Sequence, residues 1–219
     1  MENPYWPLFG LRVRTPTVEL RLPTDDDLIP LAGLGAASVD DLMFLVPAEP
    51  GQELGPYALE RQMLAWAWKA RGNWTPDAWR AHFCVVVDGV VCGTQSLMAE
   101  EFATRRTVMT GSWLGPEQRG RGLGKEMRAA ALHLAFAGLG ARRAESGARD
   151  TNYASLAVSR ALGYVDNGDE IYANRRDRGL RGIRLVLTDA MWQPRRRDDI
   201  VIEGLDACLD MFGAGPAAP

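Results

Sequence analysis

The chain has 219 residues, 47% of them hydrophobic and 24% charged, with a formal net charge of −3. That balance excludes a disordered, collagenous or coiled-coil chain and fits one packed core. The small negative charge gives no long-range attraction to nucleic acid or an anionic membrane, so any bound anion must be held locally.

Alternation over residues 17–22 predicts a strand, and Thr24 ahead of Asp25, Asp26 and Asp27 caps a helix with acids in its first turn. An apolar stripe through Leu59, Met63, Leu64, Trp66 and Ala67 predicts a second helix over 57–71. Phe83, Cys84, Val85, Val86 and Val87 form a β-branched run, Asp88-Gly89 is a two-residue hairpin signal, and Val90 starts the returning strand. After a polar turn at Thr104, Arg105 and Arg106, residues 107–114 predict another strand, with a bulge at Gly111. A helix over 122–139 follows, then a strand over 142–147, a helix over 152–162 ended by Gly163, and strands from Val165 and around 183–187.

His82 and His133 read as packed or half-exposed histidines. Trp66, Trp68, Trp74 and Trp79 read as core, with an acceptor pocket as the alternative. Arg195 through Asp199 is a mixed-sign solvated face; the apolar Ile200, Ile202, Leu205, Leu209 and Phe212 behind it must cover something, a subunit interface being one reading. Residues 213–219 predict a disordered tail. The three cysteines, Cys84, Cys92 and Cys208, form no C-x-x-C pair and suit a reducing compartment. No stretch approaches the roughly 18 apolar residues of a membrane span, and no leader pattern opens the chain, so a cytoplasmic protein is expected.

The chemistry concentrates between Ser112 and Glu126: a strand, a Gly115-Pro116 turn, the run Arg119-Gly120-Arg121-Gly122-Leu123-Gly124, and a helix that starts inside it. Such a loop binds anions, because glycines admit close approach and first-turn N–H groups point outward with the helix dipole. Arg119, Arg121 and Lys125 add donors. A P-loop is excluded, since Arg119 stands where its first glycine belongs and Glu126 where its Ser or Thr does. The G-x-G-x-x-G dinucleotide spacing fails too, as Gly120, Gly122 and Gly124 run G-x-G-x-G.

What remains is R-x-x-G-x-G at Arg119, Gly122 and Gly124, and here the chain resembles the GNAT N-acyltransferase superfamily, whose motif of this form binds the diphosphate of coenzyme A. The run Asn152 to Gly163-Tyr164 resembles the family's later helix. Ser112-Trp113-Leu114-Gly115, Glu126 and Leu185 to Trp192 are similar to the branch of ribosomal-protein alanine N-acetyltransferases. Trp6-Pro7-Leu8-Phe9, Gly111 to Gly115 and Ile202 to Asp206 resemble an actinobacterial subgroup that includes a succinyl-CoA-dependent transferase.

The resemblance implies an α+β fold, a single domain over 1–212 with a C-terminal extension over 195–212, and a mixed, mostly antiparallel sheet flanked by helices with a splayed strand at the cofactor cleft. It implies an acetyl-CoA- or succinyl-CoA-dependent acyltransferase without a metal. Its acceptor would be the primary amine of a protein N-terminus, a lysine or a small molecule. The backbone N–H near Ser112 would polarise the acyl carbonyl. Trp113, Leu114, the loop from Arg119 to Lys125, Asn152 and Ser155 would hold the donor.

Ser159 stands where the family usually has its general-acid tyrosine. Glu101 is the first candidate base, ahead of Glu100 and Glu145, and Arg105, Arg106 and Arg142 are candidates for a succinyl carboxylate. A homo-oligomer through the extension is one expectation. A non-catalytic acyl-CoA-binding domain of the same fold is the alternative function.

Overall fold

A computed structural model describes residues 3–38, 55–172 and 179–215. A short hairpin opens it, β1 (Arg12–Arg14) and β2 (Glu19–Arg21). Sequence alternation pointed only to the second of these, because β1 is two arginines around one valine. Val13 is buried while Arg14 pairs with Glu19 and Glu203. Helix α1 (Asp25–Ala36) starts in a reciprocal capping box, with Asp27 N–H donating to Thr24 Oγ1 and Thr24 N–H to Asp27 Oδ2. Helix α2 (Ala58–Gly72) packs beside it.

Strands β3 (Ala78–Val87) and β4 (Val90–Glu100) form the central hairpin. Asp88 and Gly89 both take positive φ, 49° and 78°, the geometry of the turn that matches strand twist. A helical turn, α3 (Phe102–Arg105), leads to β5 (Thr107–Leu114). Next come α4 (Leu123–His133), extended by a π-helical turn over Leu134–Gly138, then β6 (Arg143–Arg149) and α5 (Tyr153–Ala161). Strands β7 (Val165–Tyr172) and β8 (Leu180–Thr188), α6 (Asp189–Trp192) and β9 (Val201–Glu203) complete the chain.

The strands form one sheet in the order β7-β8-β6-β5-β4-β3-β2-β1-β9, in which only β5 and β6 run parallel. This is the mixed, mostly antiparallel α+β sheet expected. Helices α4 and α5 cover one face over the larger core, and α1 and α2 cover the other over a smaller one that includes Cys84, Val86 and Val91.

No bulge forms at Gly111: the β4–β5 register runs without a break from Met98↔Met109 to Gly93↔Leu114. The irregularity falls instead between Val85 and Val86. Gly111 marks a different event, since the β5–β6 pairing ends one residue earlier, at Thr110↔Ser146. From there β6 continues along β8 to Arg149↔Gly182 while β5 goes on alone with β4.

The extension serves the chain's own core. β9 pairs with β1, Ile202 and Leu205 press on Gly138, and Phe212 is fully buried edge-on to Trp79 at 4.9 Å. Trp74 and Trp79 donate their indole N–H groups to the carbonyls of Met211 and Phe212. The apolar residues that suggested a subunit interface are thus occupied internally. At the tail, Gly213 and Ala214 N–H groups still bond to Asp210 and Leu209, and residues 216–219 lie outside the described residues.

Phe212→Ala should lower the unfolding free energy by about 3–5 kcal/mol, the usual cost of emptying a buried aromatic site. Denaturant titration reads this directly; a loss under about 1 kcal/mol would mean that the extension docks loosely.

Candidate functional site

The parity of the β4–β5 ladder determines what the divergence exposes. Gly115 N–H donates to Cys92 O at 2.9 Å, so alternate residues, Trp113 and Gly111, direct their backbone groups to β4. Ser112 and Leu114 therefore direct theirs to the side that β6 has left. Leu114 O accepts from Arg119 Nε at 3.1 Å, and the Ser112 N–H faces the gap. An unpaired strand edge of this kind offers hydrogen bonds to an extended amide-bearing chain.

At the outer end of the gap lies the glycine loop. Gly120 and Gly122 take φ of +74° and +82°, and a Cβ at either would meet nothing within 4 Å, so the loop backbone is open to a ligand. Gly122 gives α4 no side-chain cap; Lys125 and Glu126 N–H groups turn back to Gly122 O, leaving the N–H groups of Leu123 and Gly124 directed outward. Gly124 faces α5 instead, where a Cβ would make an ordinary contact with Val158 at 3.4 Å. Arg121 is exposed and reaches Gln118 at 2.6 Å. The donor set suits a diphosphate, as the sequence predicts.

At the inner end, on the face of α1 and α2, a cleft of 620 Å³ opens onto Gly111, Ser112 and Trp113. Its walls include Trp66, His82, Ser96, Met98 and Glu100. Trp66 lies tilted against His82 with ring centroids 3.9 Å apart, and of the four tryptophans it and the otherwise buried Trp79 border the cleft. Trp74 and Trp79 are core, and Trp68 is half-exposed and donates to Asp25.

His82, which the sequence placed among packed histidines, does line the cleft. Its Nδ1 lies 2.6 Å from Ser96 Oγ, and its buried Nε2 has no partner among the described residues. Burial, helped by Arg80, pushes the imidazole down to about 3, so it is neutral at physiological pH. Strand periodicity could have revealed it: Arg80, His82, Ser96 and Met98 share one face through the pairs His82↔Ser96 and Arg80↔Met98.

Several expected residues are placed elsewhere. Glu101 sits in a left-handed turn (φ 52°) at the start of α3, exposed and outside the cleft walls, because the chain reverses there; Glu100, one residue earlier, faces the cleft and pairs with Arg80 at 3.4 Å. Glu145 pairs with Arg143. Ser159 is fully buried, donates to Ser155 O and accepts from Arg128, so its proton is already engaged. Asn152 Oδ1 caps α5 by accepting from Ser155 N–H at 3.1 Å, which fixes the helix start. Arg106 donates to Leu139 O and lies over Phe102, Arg142 is exposed, and Arg105 borders a separate groove with Glu145.

Nothing in the residue pattern pointed to Arg128. This α4 residue is 2% exposed and points under the divergence, donating to Ser112 Oγ (2.7 Å), Ser146 Oγ (3.3 Å) and Ser159 Oγ (3.1 Å). Among the described residues no carboxylate pairs with it, and its Nε has no partner.

Residues 17–165 match the family of acetyltransferase (GNAT) domains. Among solved structures, Mycobacterium smegmatis RimJ in complex with CoA-disulfide is similar at a TM-score of 0.67 and 16% identity, covering 93% of this chain and 95% of that one. A GCN5-related N-acetyltransferase from Brucella melitensis gives 0.65 and 20% over 83% and 80%. The ribosomal-protein-S5-alanine acetyltransferase of Vibrio fischeri gives 0.61 and 18% over 83% and 98%. At these identities the likeness is one of fold. Among the described residues no helix is long and apolar enough to cross a membrane.

Protonating His82 is disfavoured only in the folded chain, while the unfolded chain titrates near 6.5. Acidification below that point therefore favours unfolding. Between about pH 6.5 and 5, the wild type should lose on the order of 2 kcal/mol more than His82→Gln. Urea titrations at the two pH values read the difference; parallel losses would mean that the imidazole is already accessible to protons.

Proposed function

The chain belongs to the GNAT acetyltransferase family, whose members transfer an acyl group from coenzyme A to an amine, and on that footing we propose that this protein moves an acetyl or succinyl group to the primary amine of a protein N-terminus, a lysine or a small molecule. The observation that carries the reading is the gap between β5 and β6, with a diphosphate cradle at its outer end and the 620 Å³ cleft at its inner end.

Each residue then has a task. The N–H groups around Gly122, Leu123 and Gly124 hold the diphosphate, supplemented by the charges of Arg119, Arg121 and Lys125. Leu114 and Trp113 pair with and shield the pantetheine arm. The Ser112 N–H, facing the gap, donates to the acyl oxygen as negative charge develops there; one such donor is worth about 3–4 kcal/mol. On the cleft side, Ser96 lies where the incoming amine approaches and is held by neutral His82 at 2.6 Å. An imidazole buried against Trp66 and so hard to protonate is a poor proton store, so His82 positions Ser96 and the proton leaves through the open cleft. Bound donor, the splay and the cleft's opposite entry keep the two substrates apart until Ser112.

A ribosomal-protein N-terminus is the acceptor the branch resemblance favours, and a small or extended amine fits the cleft's walls. The acyl group stays open between acetyl and succinyl, because Arg105, Arg106 and Arg142 all lie outside those walls, and Arg80 is the arginine within them.

Gly122→Trp should abolish coenzyme A binding in calorimetry while the melting transition persists, because the ring fills the phosphate's place and a left-handed tryptophan costs about 1–2 kcal/mol. Unchanged affinity would remove the cofactor reading. Thiol release from acetyl- or succinyl-CoA with an amine and peptide panel tests turnover; tight binding without release across the panel would favour a non-catalytic acyl-CoA-binding domain.

A further inference from the structure

A guanidinium buried without a counter-ion is costly, by several kcal/mol for an isolated ion. Among the described residues Arg128 is such a group, and it lies in the second turn of α4, where the positive end of the helix dipole opposes it further. Burial depresses its pKa, with Tyr164 acting the other way. Its three serine partners come from β5, β6 and α5 and lie on both sides of the divergence, and the Tyr164 hydroxyl lies beside it as well.

The three hydroxyls differ in where their own protons go. Ser146 Oγ donates to Thr110 O at 3.3 Å and Ser159 Oγ to Ser155 O at 3.1 Å. Ser112 Oγ accepts the shortest of the three bonds, 2.7 Å, and donates to nothing among the described residues. It is also the one on the unpaired edge, two residues past the closing pair Thr110↔Ser146. A hydroxyl whose lone pair is drawn by a buried cation is a strengthened donor, and its proton is available where the gap closes.

We propose that Arg128 and Ser112 form a relay that stabilises the departing thiolate of coenzyme A, with the Ser112 hydroxyl touching sulfur and Arg128 acting through it as a positioning residue. This rests on the acyl-CoA reading above. The diphosphate cradle lies at the open end of the gap, so the thioester lies at the closed end, beside Ser112. The amine nitrogen forms its bond to the acyl carbon, the C–S bond breaks, and its electron pair stays on sulfur; the amine's proton departs to water. The Ser112 O–H shares its proton in a hydrogen bond without giving it up, and the thiolate later takes a proton from solvent, so the products are an amide and coenzyme A. A relay of this kind removes the need for the tyrosine that Ser159 replaces, and the backbone N–H of Ser112 keeps its separate task toward the acyl oxygen.

The test uses the whole chain and three probes: coenzyme A, desulfo-coenzyme A and an acyl-CoA substrate. Thiolate absorbance of bound coenzyme A should titrate at least about one unit below that of the free molecule. Ser112→Ala, which keeps the backbone N–H, should return the titration toward the free value and lower kcat about 100-fold. It should leave KM for the acyl donor and the affinity for desulfo-coenzyme A within about two-fold. Arg128→Met should do the same; if its melting transition is lost, the wild-type titration and Ser112→Ala still decide. A bound thiol that titrates like the free one, with desulfo-coenzyme A still bound, overturns the relay and leaves the cofactor reading intact. Failure to bind either form removes the cofactor reading, and the relay with it.

Discussion

The parting of β5 from β6 after Thr110 and Ser146 governs everything else in this molecule. Parallel neighbours in the middle of a sheet ordinarily stay paired, since each lost ladder bond leaves backbone groups seeking a partner. Here β6 is drawn along β8 for its full length while β5 stays with β4, and the wedge between them is filled from below by α4 and α5. Arg128 is the polar part of that wedge: its bonds to Ser112 on one side and Ser146 on the other span the gap that a continuous ladder would have closed. Leu156 and Leu123 contribute to the apolar part, and Gly124 faces Val158, where a Cβ would make an ordinary contact at 3.4 Å.

What the sequence made legible follows from which features are local. Caps, glycine turns and hairpin dipeptides are set by one to four neighbouring residues, so the Thr24 cap, the Asp88-Gly89 turn, the glycine loop and the start of α5 near Asn152 could be read directly, whereas Asn152's own capping bond to Ser155 was read instead as a contact to the donor. Arg128 was illegible for the opposite reason, and His82 was legible only as one residue of a strand face. Arg128 sits in a run of alanines on a helix whose neighbours suggest a solvated charge, and its burial depends on three serines 16, 18 and 31 residues away. His82 takes its character from Ser96 across the hairpin and Trp66 on another helix. Gly111 was legible as an exception within a strand but not as which exception, because a bulge and the end of pairing to a distant strand leave the same mark in one strand's residues.

The far edge of the sheet shows how the site is kept rigid. β9 closes onto β1, the short β1 and β2 carry Arg12, Arg14 and Arg21 against Glu19, Asp27 and Glu203, and no long apolar edge is left beyond them. Beneath, Trp74, Trp79, Phe102 and Phe212 make a chain of ring contacts between 4.9 and 6.0 Å. That cluster anchors the start of β3, and β3 carries His82 into the cleft four residues later. The extension is therefore part of the scaffold that sets the cleft wall, although it lies at the opposite end of the chain.

An acidic chain of a family that uses coenzyme A has to localise its positive charge to hold that polyanion, and on the proposed reading α4 does so over two turns. Its start presents backbone donors and Lys125 to solvent, where charge is strongly screened; its interior presents Arg128, where it is not. The two positions suit different tasks. A solvated cradle gathers a ligand of high charge from water at small desolvation cost, while a buried cation discriminates between charge states of whatever reaches it. The buried cation destabilises the unliganded fold, and structures retain such a group only where the surroundings hold it in place. The serine hydroxyls from three separate elements do that here, and each of them would be an ordinary packing residue if Arg128 were alanine like its neighbours.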